Sequence, residues 1–510
     1  MNSIRTIKGI FIIFTVMKRF LVLFILLMPV IVSAQQQYNW NDKVQTIYES
    51  ITSLKIPEAR KLIAVEKLKN PDNLAFALLD SYADLYQLFF NESTTDYNTL
   101  YPQFEKRINI FKQGPKNSPF YLYSLGLLHL HKAVAAVRFD RNWEAALDFR
   151  KAYFNFKDNS KQYPNFSPNN LYFGLLTTLI GSAPTNYQWM LNLLGFNGNI
   201  IKGNELVLSY INSKDAYAKI CLNEALLIYP YLIMNFEGNV KKTFNFIEHA
   251  NYDFKKNHIH AYMATNLYLN HQNATKALEL ANGIEMTPAY LNIPFWHYEK
   301  GFAYFNQMKL DLAQKEFTYF ASQFKGNFYI KDAYEKLSWI AYLQNNMKQA
   351  ELYRNELLSK GSQITDADKL AQQNAKSGSW PNALLLKARI LSDGGLQKQA
   401  LLILTDKTTL DFNTPADKAE FPYRLARIYD LMGDQDLAIK FYKSTIQKGA
   451  DLPAYFASRA ALQIGLIQES NKNFKEAIEY YNICIAMKNH AFKNSMDQKA
   501  KSGILRCNRN

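Results

Sequence analysis

The stretch Tyr423-Arg-Leu-Ala-Arg-Ile-Tyr429, followed by Gly433-Asp-Gln-Asp-Leu-Ala438-Ile-Lys-Phe441-Tyr442, decides the fold. Leu425, Ala426 and Tyr429 recur at helical spacing and share one face of a first helix. Gly433-Asp434 supplies a turn, and Ala438, Phe441 and Tyr442 form the inner face of a second helix. Small residues (Ala426, Ala438) sit where two antiparallel backbones touch, and rings fill the space beside them. The same grammar recurs at Ile464-Gly465 with Phe474-Lys-Glu-Ala477-Ile-Glu-Tyr-Tyr481, and at Lys300-Gly301, Tyr304, Ala313 and Phe317. Fainter copies contain Ala264, Tyr268, Ala277 and Ala281; Tyr334, Leu337 and Ala350; and Ala388, Gly395 and Ala400. The second-helix alanines Ala277, Ala313, Ala350, Ala400, Ala438 and Ala477 are spaced 36, 37, 50, 38 and 39 residues apart.

This pattern resembles the tetratricopeptide repeat, a helical hairpin of about 34 residues. The resemblance implies an all-α solenoid of stacked helical hairpins, with helices slightly longer than the minimum. The spacing of 50 marks one insertion, at residues 361–380. His490 to Arg506, amphipathic and basic, reads as a helix capping the open end, so a cap is expected over residues 490–510. Tetratricopeptide-like repeats are expected over 252–489 and a less regular helical-repeat region over 35–251. In that first region Pro57, Pro71, Pro102, Pro119 and Pro164 mostly fall near the starts or edges of apolar-periodic runs.

Composition agrees with long helices. The 510 residues are 48% hydrophobic, which excludes intrinsic disorder, and hold only 16 Pro and 20 Gly against 33 Tyr and 34 Phe. The formal charge is +15. Arg5, Lys8, Lys18 and Arg19 precede or interrupt an acid-free leader, so the chain without it stands at +11. That excess is spread over many lysines and predicts no nucleic-acid patch. Lys18-Arg19, the apolar run Phe20 to Val32 and Val32-Ser33-Ala34 have the form of a secretory signal peptide over residues 1–34. Cleavage is expected between Ala34 and Gln35, with Met17 as a candidate true start. An uncleaved membrane anchor is the alternative. No later run reaches the roughly 20 apolar residues of a transmembrane helix.

The stretch Asn159-Ser-Lys-Gln-Tyr-Pro164-Asn-Phe166-Ser-Pro168-Asn, then Gly181-Ser-Ala-Pro184-Thr-Asn-Tyr187-Gln-Trp189 and Leu194-Gly195-Phe196-Asn-Gly198 with Gly203, resembles a block of secreted bacterial tetratricopeptide-repeat proteins of unassigned role. From Pro184 to Gly203 it is also similar to the tetratricopeptide repeat protein 39 family. Neither resemblance brings catalytic residues. Together with the leader, the first implies an exported protein, periplasmic or envelope-associated in a Gram-negative bacterium. The glycines predict a tight turn and close contact between two apolar helices.

Enzyme signatures are missing: the chain has no HExxH, GxGxxG, P-loop or GxSxG. Ser322-Gln-Phe-Lys325 matches SxxK without its partner motifs. His129 and His131, like His258 and His260, stand two residues apart and so point to different sides of a helix, which disfavours shared metal ligation. Cys221, Cys484 and Cys507 form no CxxC pair. No catalytic residue, cofactor or metal is therefore expected.

One face is singled out. Tyr298, Phe302 and Phe305 recur at i, i+4 and i+7 of a first helix, and Trp339, Tyr342 and Tyr423 hold related places in later copies. These six rings either line a concave groove for an extended peptide or helix, or pack against neighbouring first helices. The expected function is a noncatalytic interaction scaffold with an unidentified protein or peptide partner, and peripheral envelope association. Carbohydrate binding is the alternative.

Overall fold

The computed structural model describes residues 36–490 and 492–508. The expected leader, with Ala34 and Gln35, lies outside them. Twenty-five α-helices follow one another among the described residues, and no strand is formed there. The first half contains α1 (Asp42–Thr52), α2 (Ile56–Lys69), α3 (Ala75–Asn91), α4 (Thr94–Phe111), α5 (Pro119–Arg138), α6 (Asn142–Gln162), α7 (Pro168–Gly181), α8 (Thr185–Leu193), α9 (Ile200–Ile211), α10 (Leu222–Leu232) and α11 (Val240–His249). Then come α12 (His258–Asn270), α13 (Ala274–Gly283), α14 (Phe295–Phe305), α15 (Leu310–Gln323), α16 (Ile330–Leu343), α17 (Met347–Ser359) and α18 (Asp366–Lys376). The last are α19 (Ala383–Asp393), α20 (Gln397–Leu404), α21 (Pro415–Met432), α22 (Gln435–Gly449), α23 (Phe456–Ser470), α24 (Phe474–Ala486) and α25 (Lys493–Cys507). No helix among the described residues is long and apolar enough to cross a membrane.

The hairpins share one local construction. The residue before the cap of each second helix takes the left-handed conformation: Gln272, Met308, Asn345, Gly395, Gly433 and Lys472 have φ between 54° and 86°. That residue ends the first helix and turns the chain back. An Asn or Asp often follows as N-cap. Asn273, Asn346 and Asp434 accept the backbone N–H groups of Lys276, Gln349 and Leu437 at 3.0–3.1 Å. Within a hairpin, a small residue of the first helix lies under a ring sixteen residues later. A Cβ on Gly301 would stand 2.8 Å from the Phe317 ring, and one on Gly465 would stand 2.5 Å from Tyr481. Ala426 and Tyr442, at the same separation, are both fully buried in one cluster.

The middle hairpin is closely packed. A Cβ on Gly203 of α9 would lie 2.6 Å from the Gly174 carbonyl of α7, so these two backbones touch, with α8 looped out between them. Residues 361–380 carry α18, which packs on α16 and α17. Helix α25 lies across α23 and α24 and covers Tyr481 with Gly503.

The chain also bonds to itself over long separations. Gln45 donates to the Lys219 carbonyl at 3.0 Å, and the Leu291 N–H donates to the Leu54 carbonyl at 2.8 Å, which docks α1 on the middle helices. Glu92, just after α3, accepts the backbone N–H of Asn327 at 2.7 Å. The stack is therefore wound tightly enough for the α3–α4 and α15–α16 turns to meet.

Candidate functional site

Helices α12, α14, α16, α19, α21 and α23, the first members of their hairpins, border two connected hollows. One, of about 500 Å3, is lined by Tyr298, Phe302, Phe305 and Trp339. The other, of about 890 Å3, is lined by Trp339, Tyr423, Tyr455 and Phe456. Trp339 belongs to both.

Five of the six rings predicted from sequence thus reach a hollow, and they also pack. Tyr298, Phe305, Trp339 and Tyr423 are only 8%, 3%, 8% and 5% exposed, so the rings form a floor with little open face. Phe302 lies 5.0 Å from Tyr298 and 5.3 Å from Phe317 between ring centroids, and Phe305 stacks toward Trp339 at 6.5 Å. Tyr342 is placed elsewhere: its hydroxyl donates to the Pro381 carbonyl at 3.0 Å and its ring stacks on Trp380 at 5.0 Å.

Charged groups stand on that floor. Lys336 Nζ donates to Asp332 at 2.8 Å and to Glu335 at 2.7 Å, and lies 4.5 Å from the Trp339 centroid. Burial works against its charge, but the two carboxylates outweigh burial and hold the ammonium above its ordinary value. Tyr298 donates its hydroxyl to Asp332 at 2.8 Å. Glu299, on the wall of the smaller hollow, is pushed up to about 7 by burial, against hydrogen bonds from Asn266 and Tyr262.

The larger hollow holds a row that sequence reasoning missed. Arg389, Arg424 and Arg459, one on each of α19, α21 and α23, are 35 residues apart in both steps and all line it, with Arg427 beside them. That equal spacing was the available signal: against hairpin alanines 38 and 39 residues apart, each Arg stands about one helical turn earlier in its first helix than the last. Arg389 lies 3.5 Å from Asp393, Arg427 lies 3.1 Å from Asp430, and Arg424 Nε donates to Glu420 at 2.8 Å. Each of these pairs is local to its own helix, and Arg389 and Arg424 also lie 5.6 and 5.4 Å from the ring centroids of Trp339 and Tyr423.

The other residues considered from sequence have structural partners. His129 Nδ1 lies 2.7 Å from Asp148, and His258 and His260 meet the carbonyls of Glu285 and Asn223 at 2.9 and 2.8 Å. Among the described residues no cluster of His, Cys, Asp and Glu could hold a metal. All three cysteines are buried and free. Ser322 is exposed on the last turn of α15 and Lys325 lies beyond its end, so the SxxK tetrad is not contained in one helix.

No protein-family model matches the chain, and no curated protein does. Among solved structures it is similar to a human IFIT1 dimer with PPP-AAAA, at 14% identity over 81% of this chain and 96% of that one, with a TM-score of 0.34. The apo form of RapI shares 14% identity over 80% and 96% of the two chains, with a TM-score of 0.26. Yeast Tom70 shares 11% identity over 89% and 87%, with a TM-score of 0.23. By its own hairpin geometry the chain is an all-α, tetratricopeptide-like helical superhelix.

Proposed function

We propose that the protein is an exported, noncatalytic interaction scaffold of the bacterial envelope, and that the inner face of its C-terminal half takes an extended acidic segment of a partner protein. The observation that carries this reading is the row Arg389, Arg424 and Arg459 above a ring-lined hollow of about 890 Å3. Three guanidiniums on successive first helices, each displaced by about one helical turn from the last, suit carboxylates along one extended chain. A sugar-binding platform needs an open aromatic face, which Trp339 and Tyr423 do not present, so the protein reading is preferred over the carbohydrate one. Export rests on the leader ending in Ala34.

A photo-crosslinking residue in place of Ser392, which lines this hollow, tests the reading in native envelopes. The expected result is a discrete protein adduct that disappears in the triple variant Arg389→Ala, Arg424→Ala, Arg459→Ala while the fold is retained. Absence of any protein adduct, or an adduct indifferent to the three substitutions, rejects the groove. Mass spectrometry of the mature N-terminus tests export separately, with Gln35 expected as the first residue.

A further inference from the structure

The inner surface changes chemistry along the stack. Between α3, α5, α6, α7, α10 and α12 lies a hollow of about 680 Å3 whose exposed lining is almost wholly carbon, with walls that include Leu130, Val134, Leu175 and Ile228. Its mouth is formed by side chains that are themselves open to solvent: Phe89 at 36%, Val137 at 51%, and Ala146. Its inner end is polar. His131, Tyr172 and Glu224 line it there, all buried.

His131 adds no charge at that end. Its Nδ1 is 2.9 Å from Ser81 Oγ, whereas Nε2, on a side chain 2% exposed, has no partner among the described residues. That atom exposes almost no surface, so it is not available to an occupant of the hollow. Burial first, and Arg107 second, push the imidazole down to about 3, so it is neutral at physiological pH. Glu224 is already engaged: its Oε2 accepts from Tyr172 at 2.6 Å and from Tyr48 at 3.2 Å. A carboxylate here would lose its hydration, and no Lys or Arg lines the hollow to pair with it.

The size of the hollow selects among apolar occupants. A helix about 10–12 Å across fills such a volume in little more than one turn, too short to be held. The volume lies within the roughly 300–1,000 Å3 of small-molecule pockets. We infer that this hollow binds one hydrocarbon chain of an uncharged lipid. This site is separate from the charged groove of the C-terminal half and does not depend on its function.

The probe is N-phenyl-1-naphthylamine, an apolar fluorophore, titrated into the full folded chain and competed by 1-oleoylglycerol or by oleate at neutral pH. Saturable enhancement is expected, with displacement by 1-oleoylglycerol and much weaker displacement by oleate. Ala146→Trp or Val137→Trp, both at exposed mouth positions, is expected to abolish probe binding without moving the unfolding midpoint. Absence of saturable enhancement overturns the proposal, as does enhancement that survives both mouth variants. Oleate competing as well as 1-oleoylglycerol overturns the uncharged head.

Discussion

The carboxylate of Glu92 accepts the backbone N–H of Asn327 at 2.7 Å, joining residues 235 apart in the chain. Its other oxygen faces the guanidinium of Arg138 at 3.2 Å, which lies 4.2 Å from the centroid of Phe328 and 4.9 Å from that of Phe89. Both charges are buried. The pair therefore ties a turn of the first half to a turn of the second, beside both the apolar hollow and the rings that lead to the charged groove. A solenoid is held by nearest-neighbour contacts, so a link of this kind sets its curvature as well as its stability.

Removing one member leaves the other charged and buried. Glu92→Ala is expected to lower stability by about 3–5 kcal/mol, and Glu92→Ala with Arg138→Met to recover much of that loss. Urea unfolding of the three chains measures it. Small-angle scattering should also show a larger radius of gyration for Glu92→Ala. An unchanged radius with full stability would mean that the contact does not hold the two turns together.

The buried carboxyl of Glu224 predicts a pH dependence. Burial pushes it up to about 7, against the hydroxyls of Tyr172, Tyr82 and Tyr48 that favour its charge. The groups around it are Tyr48 on α1, Tyr82 and Tyr86 on α3, Tyr123 on α5, Tyr172 on α7, Tyr210 on α9 and Cys221 before α10. Because the folded value exceeds the ordinary 4.5, the folded chain keeps a proton that the unfolded chain releases. The stability linked to that proton is complete below pH 4.5 and is lost as pH rises through about 7. Its size is on the order of 3 kcal/mol. His131 and His260, pushed down to about 3 and about 4, act in the opposite direction and lose stability as pH falls below 6.5. Comparing wild type with Glu224→Gln at pH 5 and pH 8 cancels the histidines. The wild type should lose more stability over that interval, and parallel pH profiles would contradict the assignment.

Tyr481 is clamped between two glycines. A Cβ on Gly465 would stand 2.5 Å from one edge of its ring, and a Cβ on Gly503 would stand 2.4 Å from the other. The hydroxyl donates to Glu469 at 2.6 Å, so the ring cannot slide away without losing a bond. Gly465→Ala and Gly503→Ala are each expected to cost about 1–3 kcal/mol by overpacking. Combining either with Tyr481→Leu should relieve most of that cost. Chemical denaturation of the single and double variants checks this, and additive losses would show that the glycines and the ring do not share one contact.

The small-residue and ring pairs that build the hairpins are legible in sequence because both members lie on one short segment, sixteen residues apart. The Arg row has a constant spacing of 35, but that differs from the 38 and 39 of the hairpin alanines, and each Arg sits beside rings and alanines that draw the reading toward packing. Tyr342 shows the limit of register: its ring is turned to Trp380 by the residues around α18, an insertion that no repeat spacing describes. The apolar hollow was not legible at all. Its walls come from six helices between Leu85 and Tyr262, and a hydrophobic residue facing a void has the same sequence signature as one facing another side chain.

The hairpin turns give the last test. Gly433, at φ 86°, and Lys472, at φ 62°, hold the same left-handed position one repeat apart. No atom would approach a Cβ on Gly433 within 4 Å, so Gly433→Ala meets only backbone strain and should lose roughly 1 kcal/mol. Lys472 already carries that strain and is exposed, so Lys472→Gly should be neutral or gain up to about 1 kcal/mol. The gain is limited because glycine also frees the unfolded chain. Differential scanning calorimetry of the two variants measures opposite shifts of the unfolding temperature. Shifts of the same sign would mean that the turn residue is not the common determinant of these hairpins.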